Sequence, residues 1–192
     1  MKNIKILDCT LRDGGYYNNW DFSIDLINDY LKAMPIAGVD YVEIGFRSLY
    51  KSTFKGACAY TKDEFLESLK IPKKLKVAVM VNASDLINHG TKDPIKNTKL
   101  LFSHKKNSKV DLIRIAAHYH EIKKILKVVN FLKKYGYEVA LNIMQIADRS
   151  DQEIKSISKD ISKTSLDILY FADSMGSLDI KKLLSIISNI KI

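Results

Sequence analysis

Arg12 and Asp13 stand side by side ahead of Gly14-Gly15, just past a short apolar run. A carboxylate is a ligand for a hard divalent cation, and a guanidinium carries a permanent charge suited to a place where negative charge develops on oxygen. On a solvated turn the same two residues would form only a weak surface ion pair. A second candidate is His118-x-His120, because alternate residues of a strand point the same way and H-x-H is a familiar metal spacing. Further polar side chains stand where successive apolar runs end: Glu43 with Arg47, Arg114 with His118, Asn142 with Gln145, and Asp173 with Ser174.

The elements that must position these residues follow from periodicity. Short apolar runs bounded by turn residues alternate with longer stretches of helical period, the pattern of parallel βα units. The runs predict strands over 5–8, 39–45, 75–81, 110–116, 137–143 and 167–172. Helices are predicted over 22–34, 61–69, 93–101, 122–134, 151–162 and 180–190, with the signal weakest between Asn82 and Lys109. Residues 9–21 read as the connection from the first strand to the first helix. About six βα units in a row suit either a doubly wound sheet or a (β/α)8 barrel. The turn after the first strand lacks the G-x-G-x-x-G fingerprint of a dinucleotide fold. Polar residues instead gather at the strands' C-terminal ends, where a barrel keeps its active site. The expected fold is α/β, a partial (β/α)8 TIM barrel of about six units forming one domain over 1–192.

Composition narrows the function. The chain has 192 residues, 46% of them hydrophobic, with no apolar run near a membrane span. Lys plus Arg number 31 against 22 Asp plus Glu, a formal charge of +9. Only Arg12, Arg47, Arg114 and Arg149 are arginine, so the excess reads as a solvated lysine-rich surface and not a nucleic-acid site, which favours localised Arg forks. Two cysteines, Cys9 and Cys58, and no secretory pattern point to a reducing cytoplasm. Disulfide scaffolds, membrane proteins and disordered tails are excluded.

Residues 7–15, L-D-C-T-L-R-D-G-G, resemble the D-x-T-L-R-D-G signature of the DRE-TIM metallolyase superfamily, which includes 4-hydroxy-2-oxovalerate aldolase, hydroxymethylglutaryl-CoA lyase and isopropylmalate synthase. Residues 112–118, L-I-R-I-A-A-H, and 170–176, Y-F-A-D-S-M-G, look like the strand-four and strand-six segments of the hydroxy-oxovalerate aldolase branch. The resemblance implies a metal-dependent carbon–carbon lyase that cleaves a 4-hydroxy-2-oxo acid to pyruvate and an aldehyde. In that reading Asp13 binds a divalent metal of the Mn, Mg or Co type, and Arg12 stabilises the enolate. Glu43, Arg114, His118 and Ser174 would contact substrate.

Two departures accompany the resemblance. Tyr16 stands where the aldolase branch has a catalytic histidine, so either this tyrosine serves as the acid/base or the substrate differs. The family's metal-binding H-x-H follows strand seven, so six units imply an incomplete metal site and a domain lacking its last two βα units. His118 then lines the cavity edge and His120 opens a helix. An acyl-CoA Claisen enzyme of the same superfamily and a truncated, non-catalytic paralogue are the alternative readings. An unclosed barrel leaves its first and last strands as bare edges. The expectation is an open sheet that self-associates into a homo-oligomer, recruits the missing quarter, or exposes enough apolar surface to bind a hydrophobic dye.

Overall fold

Strand pairing in a computed structural model, which describes residues 4–50 and 55–190, decides between the two α/β architectures. The strands are β1 (Leu7–Asp8), β2 (Tyr41–Phe46), β3 (Lys76–Asn82), β4 (Val110–Ala117), β5 (Glu138–Ile143) and β6 (Ile168–Phe171). They form one sheet in the order β1-β2-β3-β4-β5-β6, and every neighbouring pair is parallel. A doubly wound sheet reverses its strand order at a switch point. Here the order never reverses, and the sheet curls into the partial (β/α)8 barrel expected from the polar residues.

The helices are α1 (Thr10–Asn18), α2 (Ile24–Ala33), α3 (Asp63–Ser68), α4 (Ala83–Asn88), α5 (Pro94–Leu101), α6 (Ile122–Lys134), α7 (Asp151–Ile161) and α8 (Ile180–Asn189). Strands buried on both faces read as nearly continuous apolar runs, which is why β3 and β4 are Val- and Ile-rich. Their outward residues, including Val79, Ile113 and Leu141, join the main core with the helices. The helical contribution is clearest in α6, which buries Ile122, Ile125, Val128, Val129 and Leu132 at helical spacing. The inward residues Tyr41, Ala78, Leu112 and Ala140 make a smaller cluster with Leu7, Ile168 and Tyr170. Helix starts carry the expected chemistry: Ser150 and Glu153 form a capping box at α7, and Asp93 caps α5 ahead of Pro94.

The segment 9–21 departs from expectation, because most of it is α1 and not a connection. Gly14 and Gly15 lower helix propensity, and Cys9 at the N-cap makes no side-chain capping bond. Tertiary contacts override both. The Trp20 indole lies against Gly15, where a Cβ would fall 2.0 Å from the ring, and its Nε1 donates to the Arg12 carbonyl at 2.9 Å. Asn19 and Trp20 both take left-handed backbone, with φ of 57° and 59°, to fold the indole back over the helix. Helix α4 lies where the periodic signal was weakest. Among the described residues no helix is long and apolar enough to cross a membrane.

Candidate active site

Glu43 sits on β2 with its carboxylate wholly buried, and two arginines from other elements converge on it. Arg12 of α1 donates from Nε to Oε1 at 2.5 Å, and Arg114 of β4 donates from Nη2 to the same oxygen at 2.9 Å. Glu43 Oε2 and Arg114 Nε lie 2.8 Å apart, in ion contact but not aligned as a hydrogen bond. A buried carboxylate is tolerable only with such partners. Two guanidiniums against one carboxylate leave an excess positive charge, which Asp13 meets at the rim through Oδ1, 2.5 Å from Arg12 Nη1. Burial pulls the Arg12 pKa down, but the Glu43 carboxylate more than offsets it and leaves the guanidinium above its ordinary value.

Aromatic rings and a thiol complete the surroundings. The Arg12 guanidinium stands 5.7 Å from the Phe46 ring centroid, and that of Arg114 stands 5.3 Å from Tyr170. Cys9 Sγ is 3.6 Å from Arg114 Nη2. Burial and the Glu43 charge push the Cys9 pKa up to about 11 against the pull of the arginines, so the group is a thiol at neutral pH.

Because residues 12 and 16 are one helical turn apart, α1 presents Arg12 and Tyr16 on one face. Phe46 touches both: Tyr16 packs on it edge to face with centroids 6.3 Å apart. Tyr16 itself is 65% exposed. The structure thus gathers Arg12, Asp13, Tyr16, Glu43 and Arg114, and it leaves His118 and Ser174 apart from them. His118 opens the 3₁₀ turn Tyr119–Glu121, its backbone N–H donating to Glu121 Oε2 at 2.9 Å and its carbonyl accepting from the Glu121 N–H at 2.9 Å, and its ring stacks on His120 with centroids 5.8 Å apart. It borders a separate cavity with Met144, Gln145 and Arg149. Ser174 is exposed in the turn after β6, where Asp173 accepts from the N–H groups of Ser177 and Leu178 at 2.9 Å each. Arg47 is structural in its contacts, donating to Thr61 O at 3.0 Å, Leu101 O at 2.8 Å and Asp63 Oδ1 at 2.6 Å.

Cys9, Phe46, Trp20 and Tyr170 were not singled out from sequence. Strand alternation was the available signal for two of them, since Cys9 follows Leu7 and Tyr170 follows Ile168 by two residues. Phe46 lies beyond a register shift between Glu43 and Gly45, which breaks that parity. Trp20 reaches the site only because α1 is a helix.

A divalent cation of the kind the motif implies takes several oxygen or nitrogen ligands. Glu43 is committed to two guanidiniums, and among the described residues no group of three or more His, Cys, Asp or Glu side chains is placed to hold a metal ion. These residues do not by themselves fit a complete metal site.

Comparison with known proteins agrees with this architecture. The HMGL-like family profile matches residues 3–192. A 4-hydroxy-2-oxovalerate aldolase from Pelotomaculum thermopropionicum is 28% identical over 181 residues, covering 93% of this chain and 50% of the relative. The chain spans about half the length of the curated relatives it matches. Among solved structures, the N-terminal domain of a Bacteroides vulgatus protein provisionally described as an aldolase superposes with a TM-score of 0.77 at 31% identity, over 97% of this chain and 60% of that one. Hydroxymethylglutaryl-CoA lyase from Pseudomonas aeruginosa superposes with a TM-score of 0.71 at 11% identity, over 98% of this chain and 64% of that one, a likeness of fold.

Proposed function

The chain belongs to the HMGL-like family, and from that premise we propose that it acts as an aldolase-type carbon–carbon lyase, cleaving a 4-hydroxy-2-oxo acid to pyruvate and an aldehyde. The observation that carries the reading is the Arg12 guanidinium, held at the C-terminal rim of the sheet by buried Glu43 and still 13% exposed along its side chain. Cleavage of the C3–C4 bond leaves a pyruvate enolate, and a preorganised cation beside that oxygen stabilises the charge as it forms. Glu43 positions Arg12 and Arg114 together, so neither guanidinium has to be reorganised during the reaction.

Tyr16, on the same helical face as Arg12, is the proton carrier in this scheme. The C4 hydroxyl gives up its proton as the aldehyde carbonyl forms. Tyr16 passes a proton to the enolate carbon and is restored by the one the hydroxyl released, so none is gained or lost over the cycle. Arg114 contributes positive charge toward the substrate carboxylate, whereas His118 and Ser174, which the motif also implied, lie outside this cluster and take no part in the scheme. Asp13 is proposed as one carboxylate within a larger donor set for a divalent cation. The family's aldolases support a small 2-oxo acid as substrate, with a reducing cytoplasm as its setting and a homo-oligomer as its assembly.

The test is pyruvate release from a 4-hydroxy-2-oxo acid with Mn²⁺ or Mg²⁺ supplied, followed by coupled NADH oxidation. Pyruvate should form, and Arg12→Lys should lower kcat by roughly 100-fold or more while leaving the fold intact, since lysine keeps the charge but not the fork. Thiol release from acetyl-CoA with a 2-oxo acid, without pyruvate release in the first assay, would move the protein to the Claisen branch of the family.

A further inference from the structure

Beside Arg12 the rim opens into an aromatic cavity. The rings of Tyr16 and Trp20 meet with centroids 4.8 Å apart, those of Trp20 and Phe46 at 5.7 Å, and those of Tyr16 and Phe46 at 6.3 Å, all edge to face. With Tyr50, Tyr60 and Asn82 they border a space of about 210 Å³. Phe46 ends β2 and Asn82 ends β3, so the space lies over the same C-terminal strand ends as Arg12. Phe46 joins the two regions, with the Arg12 guanidinium 5.7 Å from its centroid and the cavity also against it.

From this arrangement, and resting on the aldolase reading above, we infer that the aldehyde half of the substrate carries an aryl group, which this cavity binds. An apolar cavity of about 150 Å³ is enough to hold a benzene ring. The space here is about 210 Å³, partly open to solvent and bordered by Ser48, Lys55 and Asn82 as well as by rings. By volume it takes a ring and a short linker with a polar edge, whereas a two-carbon aldehyde would leave most of it unfilled. Aromatic groups pack favourably edge to face, and the wall offers ring edges and faces from five side chains. Lys55 is the one charged group among the described lining residues, and its ammonium lies 5.0 Å from the Trp20 ring centroid. Among the described lining residues there is no carboxylate to bind an amine-bearing tail. The Asn82 carboxamide has no hydrogen-bond partner among the described residues and gives the ring's polar substituent, where there is one, a place to bond.

Trp20 is the chain's single tryptophan, so intrinsic fluorescence reports on this wall without any turnover. The 192-residue protein is titrated with 2-phenylethanol, an unreactive stand-in for an arylaldehyde, and in parallel with 1-propanol. A saturable change is expected with the aryl alcohol at a concentration about tenfold or more below that needed for the aliphatic one. Tyr16→Ala, at an exposed position, should weaken the aryl response several-fold while leaving the unfolding midpoint in place. Equal responses to the two alcohols, no saturable response, or an unchanged response in Tyr16→Ala would overturn the inference. A parallel arm offers pyruvate with phenylacetaldehyde or with acetaldehyde. Condensation of neither, with the aryl preference in fluorescence intact, overturns the aldolase reading and leaves the aryl site standing. Condensation of acetaldehyde with no aryl preference in fluorescence overturns the aryl site alone.

Discussion

The two ends of the sheet are built differently. Around β1, β2 and β4, side chains from three separate elements lock together: Arg12 and Arg114 close on Glu43, while Tyr30 donates its hydroxyl to Asp8. Among the described residues around β6 and α8 there is no comparable lock. All four residues of β6 are partly exposed, α8 buries only Ile186, and Ile180, Leu184 and Ile187 face outward. The difference teaches where fixed charge can be kept. A guanidinium keeps one position when burial and ion pairing remove its alternatives, as for Arg12, whereas Ser174 stands in an exposed turn with no side-chain hydrogen bond among the described residues.

The strongest way to break the comparison is to remove the carboxylate at its centre. Glu43→Ala leaves two guanidiniums facing each other without their counter-charge, and loss of one partner of a buried ion pair costs about 3–5 kcal/mol. Denaturant unfolding should show a loss of that size, and a loss below about 1 kcal/mol would mean that the cluster is hydrated and not locked.

Next comes the helix that delivers Arg12. Propensity favours alanine over glycine inside a helix by about 1 kcal/mol, but a Cβ at Gly15 would sit 2.0 Å from the Trp20 ring. Overpacking of this kind costs about 1–3 kcal/mol, so Gly15→Ala should destabilise the protein and shift Trp20 emission toward that of an exposed indole. A stabilised variant with unchanged emission would show that the indole does not rest on the helix.

The smallest expected effect is on acid titration, and it separates the two ends directly. Burial pushes the Asp8 pKa up, but hydrogen bonds from the Tyr30 hydroxyl and the Thr10 N–H more than offset it, so the folded value lies below the ordinary one. Asp173 is also lowered, by the N–H groups of Leu178 and Ser177. A depressed folded pKa contributes stability that is present above the unfolded value, near about 3.9, and is lost as pH falls through the folded one. Tyr30→Phe should raise the Asp8 titration seen by carboxyl NMR and leave that of Asp173 in place. Movement of both would mean that the ends are coupled.

Much of this was legible without coordinates. The strands from β2 to β5 fell close to their apolar runs, and Arg12 with Asp13 stood out by type and context. Helix α1 was not legible, because two glycines and an uncapped start argue locally for a turn. Nor was the commitment of Glu43, since its partners lie 31 and 71 residues away in sequence. The aromatic wall was hidden for a related reason: Trp20 joins it only after two consecutive left-handed residues reverse the chain.

Alternating apolar runs and helical periods determined by themselves that this is a parallel α/β chain, because both periodicities are set by backbone geometry within a few residues. The same local chemistry determined which polar groups stand at the strand ends. Tertiary structure alone decided that Arg12 rides on a helix, that two arginines share one oxygen of Glu43, and that Tyr16, Trp20 and Phe46 border a single cavity. Those outcomes depend on parallel register and on the curl of the sheet, which bring residues from distant segments within bonding distance and let packing outweigh local propensity.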